Sequence, residues 1–357
     1  MNTQTPYPAT VRAGIIGATG YAGIELAALV EGHGEISLEA LASTSGVGRT
    51  LGSYYPQLKG VLANRFLISL DEFLERELDL VFLAVPHTTA LEIAALLLAR
   101  GVRVIDLSAD YRLKNPDLYY TFYGVIHSHP ELLDAAVYGL SELNRAEISQ
   151  ATFVANPGCY PTAVSLACAP ALRSGIVKPN LPLTVSAVSG YSGAGRKACE
   201  SHHYSLSDET VFPYKPLVHQ HTPEIEQTLT RVNNNIPVSV AFVPQIASFK
   251  RGILANCFMQ LSETVSNDEV QSIMENAYLN ENFVRVLPRD IMPSVADVVG
   301  SNQVRIGWHY DEHTRVLYVA SVIDNLVKGA AGQALQNANI MFGFEDSEGL
   351  HSIGKVV

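Results

Sequence analysis

Residues 11–26, VRAGIIGATGYAGIEL, decide the fold. A short apolar run from Val11 to Ile16 ends at Gly17, and helical spacing of apolar residues begins at Tyr21. Three glycines, Gly17, Gly20 and Gly23, fill the join. A strand that turns through glycine into a helix lets an anionic ligand approach the helix's free N–H groups. The spacing is GxxGxxG rather than GxGxxG, so the motif alone is weak, and its plain alternative is a glycine-rich turn with no ligand. A second strand candidate at 36–42 supplies the context of a mononucleotide unit. Gly17, Thr19, Gly20, Tyr21 and Gly23 are therefore the candidate dinucleotide residues.

Outward from this turn the grammar stays the same. Residues 79–85 (DLVFLAV) are strand-like and closed by Pro86, a further candidate neighbour of the cofactor. Residues 88–100 have helical periodicity, and 102–107 and 152–155 are strand candidates. Apolar strands separated by helices imply an α/β fold of Rossmann type, a doubly wound parallel sheet covered on both faces. After residue 160 the pattern changes. A helix at 161–173 is followed by alternating runs at 183–189, 238–246, 253–261, 303–310 and 316–323, which imply an α+β domain with a mostly antiparallel sheet. The closing pattern, 325–341, is helical and rich in small apolar residues. The expected domains are 1–156 for the nucleotide, completed by the helix in 325–357, and 157–324 for substrate and subunit contacts.

Composition narrows the class. The chain has 357 residues, which at about 150 per domain favours two domains. Hydrophobic residues are 47% and charged ones 17%, with mean hydropathy +0.13, so a disordered or fibrous chain is excluded. The formal net charge of −11 disfavours binding to nucleic-acid backbones. No apolar run reaches the ~18 residues a membrane span needs, and the N-terminus lacks a signal-peptide pattern. Four cysteines without CxxC spacing fit neither a disulfide framework nor a zinc site. The expected setting is cytoplasmic, reduced and metal-free.

The end of the second strand selects among dinucleotides. A site for NAD places Asp or Glu there to grip the ribose 2′-OH. Residues 41–49 are LASTSGVGR, with no carboxylate. Ser43, Ser45 and Arg49 suit a 2′-phosphate, so NADP(H) is the expected cofactor; the alternative is a solvated Ser/Gly loop.

Asn156-Pro157-Gly158-Cys159-Tyr160-Pro161 sits between a strand and a helix. Cys159 thus falls at the positive end of a helix dipole, where a thiolate is favoured. Cys168 and Cys257 lie in apolar runs and fit buried thiols, while Cys199 is a weak competitor. The densest His/Glu cluster is His219-Gln220-His221-Thr222-Pro223-Glu224. Thr222 is the expected N-cap and Pro223 the first helical residue. Glu224 is expected to orient an imidazole. His202 and His203 compete but fit surface residues.

With these pieces the chain resembles the N-acetyl-γ-glutamyl-phosphate reductase family of the semialdehyde dehydrogenase superfamily. The matching motifs are GATGYAGIEL, LAVPH, DLSADYRL, NPGCYPTA, SGYSGAGRK, HQHTPEIEQ and DNLVKGAAGQALQN, in family order along nearly the whole chain. The resemblance implies NADPH-dependent reduction of N-acetyl-glutamyl 5-phosphate to the 5-semialdehyde and inorganic phosphate, through a thioester on Cys159. It makes His219 the expected acid/base, supported by His221 and Glu224, without settling which histidine does the chemistry. Arg112 and Arg196 are implied clamps for phosphate and carboxylate, though Arg112 equally suits a structural ion pair. Ser189, Gly190, Gly193 and Asn325 are implied beside the cofactor, and a homodimer or homotetramer is the implied assembly. Rival readings are reduction of aspartyl phosphate or of a carrier-bound aminoadipyl phosphate, and a non-catalytic NADP sensor.

Overall fold

The computed structural model describes residues 10–196 and 209–350. These form two compact units. In chain order the first holds β1 (Val11–Ile16), α1 (Tyr21–Glu31), β2 (Ile36–Ala42), α2 (Gly60–Asn64), β3 (Leu67–Ile68), α3 (Leu70–Leu74), β4 (Leu80–Leu83), α4 (Ala90–Ala99) and β5 (Arg103–Asp106). After α5 (Asp117–Tyr123) come β6 (Val137–Tyr138), α6 (Ser141–Ile148) and β7 (Phe153–Ala155). The second unit holds α7 (Cys159–Arg173), β8 (Leu183–Gly190), β9 (Val211–Pro213), α8 (Thr222–Val232), β10 (Val240–Ala247), β11 (Ile253–Gln260) and α9 (Asn267–Ala277). It closes with β12 (Val284–Val286), β13 (Val304–Asp311), β14 (Val316–Ile323) and a π-turn (Val327–Ala331). α10 (Gly332–Phe342) then returns to the first unit.

The first sheet runs β3-β2-β1-β4-β5-β7-β6, and every pair is parallel. All four residues of β4 are fully buried, as expected of a strand covered on both faces. The strand order reverses direction between β1 and β4, so the carboxyl ends of these two strands mark the switch point where such sheets take ligands. α10 packs on α1 and α6, with all eleven of its residues buried. Most of its polar side-chain atoms are paired inside the unit, Gln333 Oε1 excepted. Asn337 Nδ2 donates to Gly139 O at 2.7 Å and Asn156 Oδ1 at 3.0 Å, and its Oδ1 accepts from Ser141 Oγ at 2.8 Å. Gly139 is bare because a methyl there would lie 2.4 Å from Asn337 Nδ2.

The second sheet runs β12-β13-β14-β11-β8-β10-β9. Four of its six pairs are antiparallel; β8–β10 and β12–β13 are parallel. β10 and β11 bury alternate residues, the period-2 pattern of a sheet packed on one face. α7 lies against β11 and β14, with α8 beside it, and is buried from Tyr160 to Leu172. A helix apolar all round is the centre of its unit. Residues 325–330, expected with the first domain, lie in the second unit instead. The reason is local: Asp324 accepts from Arg251 and Gly300 N, and Asn325 from Gly252 N. No helix among the described residues is long and apolar enough to cross a membrane.

Asn337→Ala should remove the side-chain donor to Gly139 O and Asn156 Oδ1, while Ser141 Oγ keeps its bond from Gln333 Nε2; a buried group left unsatisfied costs about 1 to 3 kcal/mol. The expected loss in urea unfolding is about 2 to 4 kcal/mol, because relaxation recovers part of the sum. Asn64→Ala, at an exposed helix end, should change stability by less than about 0.5 kcal/mol.

Candidate active site

In the first unit, the turn after β1 is set by contacts of the chain with itself. Gly17 has φ +92°, and a methyl there would lie 2.2 Å from Ala84 O. A methyl at Gly23 would lie 2.3 Å from Gly17 O. Gly20 differs: its φ of −75° and ψ of 164° suit any residue, and a methyl would meet only Gly17 O at 3.5 Å. Protein packing thus explains two of the glycines and leaves the third open. Gly20 also precedes α1 without a side-chain cap, so this helix start fits an approaching pyrophosphate.

Beside it, Thr19 Oγ1 and Ser43 Oγ share a hydrogen bond of 2.9 Å, and Tyr55 OH donates to Thr19 O at 2.9 Å. Ser45 N donates to Ser43 Oγ at 3.3 Å. Arg49 is exposed, its guanidinium stacked 4.6 Å from the centre of the Tyr54 ring. Gly46, at φ +88°, makes room for Tyr54, whose hydroxyl would otherwise meet a methyl at 2.0 Å. Tyr21 is half-buried at the start of α1, and Pro86 is exposed just past β4. These hydroxyls and this cation fit a phosphorylated ribose.

Arg112 is 5% exposed. Its Nε donates to Asn156 O and a terminal nitrogen to Leu107 O, both at 2.8 Å. These two bonds brace the ends of β5 and β7. Its neighbours are equally engaged. Asp110 caps α4 by accepting from Thr88 N at 2.6 Å and Ala90 N at 2.9 Å. Asp106 accepts from Ser108 N and Ser108 Oγ, both at 2.8 Å, and burial, with Asp110 nearby, pushes its carboxyl up to about 7.

In the second unit, α7 begins at Cys159, which is half-buried, and Gly158 provides no side-chain cap. The Gly158 N–H donates instead to Glu224 Oε1 at 2.8 Å, a carboxylate 1% exposed on α8. Glu224 thereby also secures the helix that carries the thiol. The helix start itself shifts by one residue, with His221 at the N-cap, Thr222 first and Pro223 second. The π-turn backs Cys159 from another side, since a methyl at Gly329 would lie 2.7 Å from its Cβ.

His219 is 3% exposed. Its ring stands edge-on to Tyr214, Phe242 and Tyr160, with centroids 5.4, 5.5 and 6.0 Å away, and 4.8 Å from His221. Nδ1 accepts the His221 N–H at 3.1 Å. Burial, helped by the charge of Lys215, pulls its pKa down to about 4. Tyr214 OH donates to Tyr160 OH at 3.4 Å, and Tyr160 OH to Gln245 O at 3.0 Å. Burial raises both phenols, Tyr214 to about 12, and the negative charge of Cys159 adds to each. Cys159, Tyr160, Tyr214 and His219 thus form one cluster. The two tyrosines were not expected; the adjacency of Tyr160 to Cys159 was the available signal.

Ser189, Gly190, Gly193 and Asn325 also belong to the second unit. A methyl at Gly190 would lie 2.6 Å from Phe249 O, and one at Gly193 2.7 Å from Ser189 Oγ. Asn325 accepts from Gly252 N at 2.7 Å and donates to Ser192 Oγ at 3.0 Å. Arg196 is exposed. Cys199, His202 and His203 lie outside the described residues.

Comparison with known proteins is consistent along the chain. Residues 12–151 match the family described as semialdehyde dehydrogenase, NAD binding domain, and 159–325 the one described as semialdehyde dehydrogenase, dimerisation domain. N-acetyl-gamma-glutamyl-phosphate reductase of Halothermothrix orenii is 40% identical over 96% of this chain and 99% of its own. That of Neisseria gonorrhoeae is 42% identical over 96% and 98%. Among solved structures, aspartate semialdehyde dehydrogenase II from Vibrio cholerae superposes with a TM-score of 0.72 at 16% identity, covering 93% of this chain and 98% of its own. The Candida albicans enzyme with NADP scores 0.63 at 16% identity, covering 93% and 98%. These two likenesses concern the fold.

The glycines separate ligand from packing. Gly20→Ala should leave thermal stability within about 0.5 kcal/mol of the parent yet weaken dinucleotide binding about tenfold or more, measured by titration calorimetry. Gly17→Ala should destabilise the protein by about 2 kcal/mol or more, through strain at positive φ and the Ala84 clash.

Proposed function

The chain belongs to the N-acetyl-gamma-glutamyl-phosphate reductase family, and from that membership we propose that Cys159 is the nucleophile of an acyl-phosphate reduction. It is an oxidoreductase that uses a nicotinamide cofactor to convert N-acetyl-glutamyl 5-phosphate to the 5-semialdehyde and phosphate, a step of arginine biosynthesis. The observation that carries the site assignment is Cys159 at the uncapped start of α7, with Glu224 securing the preceding amide and His219 in the same cluster.

The thiolate Sγ attacks the acyl carbon, the C–O bond to phosphate breaks, and a thioester remains on Cys159. Main-chain N–H groups at the start of α7 face the charge that develops on the acyl oxygen, and His219 supplies a side-chain donor. The reduced nicotinamide, when bound, supplies the hydride that turns the thioester carbon into an aldehyde. Gly17, Thr19, Gly20, Tyr21 and Gly23 would hold its pyrophosphate, with Pro86 alongside. Ser43, Ser45 and Arg49 would hold a 2′-phosphate, which supports NADP(H) over NAD(H). Ser189, Gly190, Gly193 and Asn325 are further cofactor residues in this reading, and the exposed Arg196 would meet an anionic group of the substrate. His221 would bind or orient substrate beside His219. The first unit is thus the nucleotide domain and the second the catalytic one.

The open face of the second sheet supports a homo-oligomer. It carries Phe258, 40% exposed and 5.2 Å from the Tyr318 ring, beside linked polar pairs Gln245–Ser186 and Tyr318–Asn256. Such a mixed face suits a second copy of the chain, in line with the description of the matching family as a dimerisation domain. A step of arginine biosynthesis supports a cytoplasmic setting.

Run in reverse with NADP and phosphate, the enzyme should oxidise N-acetyl-glutamate 5-semialdehyde in preference to aspartate semialdehyde. Cys159→Ala should abolish turnover with NADPH binding intact; substantial residual activity moves the nucleophile elsewhere. Arg49→Ala should weaken NADPH about tenfold or more and NADH much less, as expected when a charge-assisted contact of about 1.5 to 3 kcal/mol is lost. Equal losses would make Arg49 a loop support.

A further inference from the structure

We propose that Arg285 and Arg305 form a binding site for a small dianion of the phosphate class on the open face of the second sheet. Register sets the pair up. β12 and β13 are parallel, and Arg285 stands directly opposite Arg305. Partners of this kind leave the same face of a sheet, their strands about 4.8 Å apart. Trp308, three residues on from Arg305, leaves the other face and donates from Nε1 to Gln271 Oε1 of α9 at 2.9 Å. α7, which begins at Cys159, packs on that helical face as well. The two guanidiniums therefore share the open one, away from the nucleophile.

Like charges directly opposed across strands destabilise a sheet, so the pair calls for a counter-charge. Its own row supplies none. Beyond Arg305 the row runs through Val322, Leu254 and Val188, all apolar. Arg305 is half-buried and gives a terminal nitrogen to Gln303 Oε1, a neutral acceptor. Asp297 attracts it only at longer range, and that carboxylate already accepts from Ser294 N at 2.8 Å in a capping box. Arg285 is exposed, and no carboxylate among the described residues pairs with it. Burial, with Arg285 opposite, holds the Arg305 guanidinium below its usual range, as expected of a cation short of counter-charge. In a chain of net charge −11 this is a local positive spot.

The same geometry selects the ligand class. A guanidinium presents its N–H donors as a planar fork that takes two oxygens of one anion. Two forks one strand spacing apart match an anion that carries oxygens on more than one side and charge enough for both. A monocarboxylate would fill one fork and neutralise one arginine. A phosphate dianion meets the two together, and the exposed Arg285 leaves the pair open to an ion from solution. Phosphate is also what the reaction releases, so the enzyme meets this ion as it works.

Thermal unfolding at about pH 8 and constant ionic strength tests this, with inorganic phosphate as the probe. Added to about 50 mM, phosphate should raise the Tm of the parent by about 2 °C or more, as a millimolar site requires. Arg285→Gln and Arg305→Gln should each lose at least half of that gain while kcat stays within about twofold of the parent. Any gain from phosphate at the reacting site would survive in both. Arg305→Glu sets a carboxylate opposite Arg285 in place of the ion. It should raise Tm by about 1 °C without phosphate and show the reduced response of the glutamine variants. No gain in the parent, an undiminished gain in the glutamine variants, or a lower Tm for Arg305→Glu without phosphate overturns the proposal. Sedimentation velocity tests the other source of counter-charge. If Arg305→Glu changes the association state and leaves the phosphate response intact, the arginines meet carboxylates of a second copy and the proposal fails.

Discussion

A buried helix start cannot leave its amides bare, and α7 begins inside the second unit behind a glycine that has no side chain to offer. The Glu224 carboxylate accepting from Gly158 N–H meets that requirement from another helix. Much else follows from it. Because the cap comes from α8, position 158 can stay glycine, and the space beside Cys159 stays open to an acyl group. Because α8 must lie close enough to cap, its leading residues His219 and His221 are carried to the same place. A capping serine at position 158 would satisfy an amide as well, but it would fill the approach and dispense with α8.

The same device occurs in the first unit with a different outcome. There too a strand ends, glycines turn the chain, and a helix starts without a side-chain cap. The α1 start has no side-chain cap, Thr19, Ser43 and Tyr55 hold the neighbouring loop, and the start is fitted to an anion. One helix start thus suits a ligand's charge and the other a charge made on the protein's own sulfur. The buried lattice of Asn337, Gly139, Asn156 and Ser141, with Arg112 on Asn156 O, fixes the strand end that leads toward Cys159. Polar side chains with every partner satisfied specify that loop more sharply than apolar packing would.

Much of this was legible in the residues, for reasons that also explain the gaps. β1, β2 and β14 occupy the stretches their apolar runs imply, because each run is bounded by glycine or by a polar turn. β3 and β6 are two residues long and carry no period to read. Thr222 before proline mimics an N-cap, yet it already lies inside the helix. The run 325–341 reads as one helix, but Asp324 captures Leu326 N and Val327 N and draws the first turn into a π form. Arg112 is visible as a cation, whereas the main-chain carbonyls of Asn156 and Leu107 that it bonds leave no trace in sequence. Glu224 and Gly158 lie 66 positions apart, so only the fold could pair them.

The return of α10 to the first unit has a consequence for how the chain is made. At about 5 to 20 residues per second, synthesis delivers residues 158–330 of the second unit before α10 leaves the ribosome. The part translated first is therefore the part completed last. Until then, the surfaces of α1 and α6 that α10 covers stay bare, and Gly139 and Asn156 lack their partner. The nascent nucleotide unit must wait as an unfinished, sticky intermediate, a natural client for chaperones. A chain stopped before residue 331 would hold residues 158–330 of the second unit but lack the helix that covers α1 and α6.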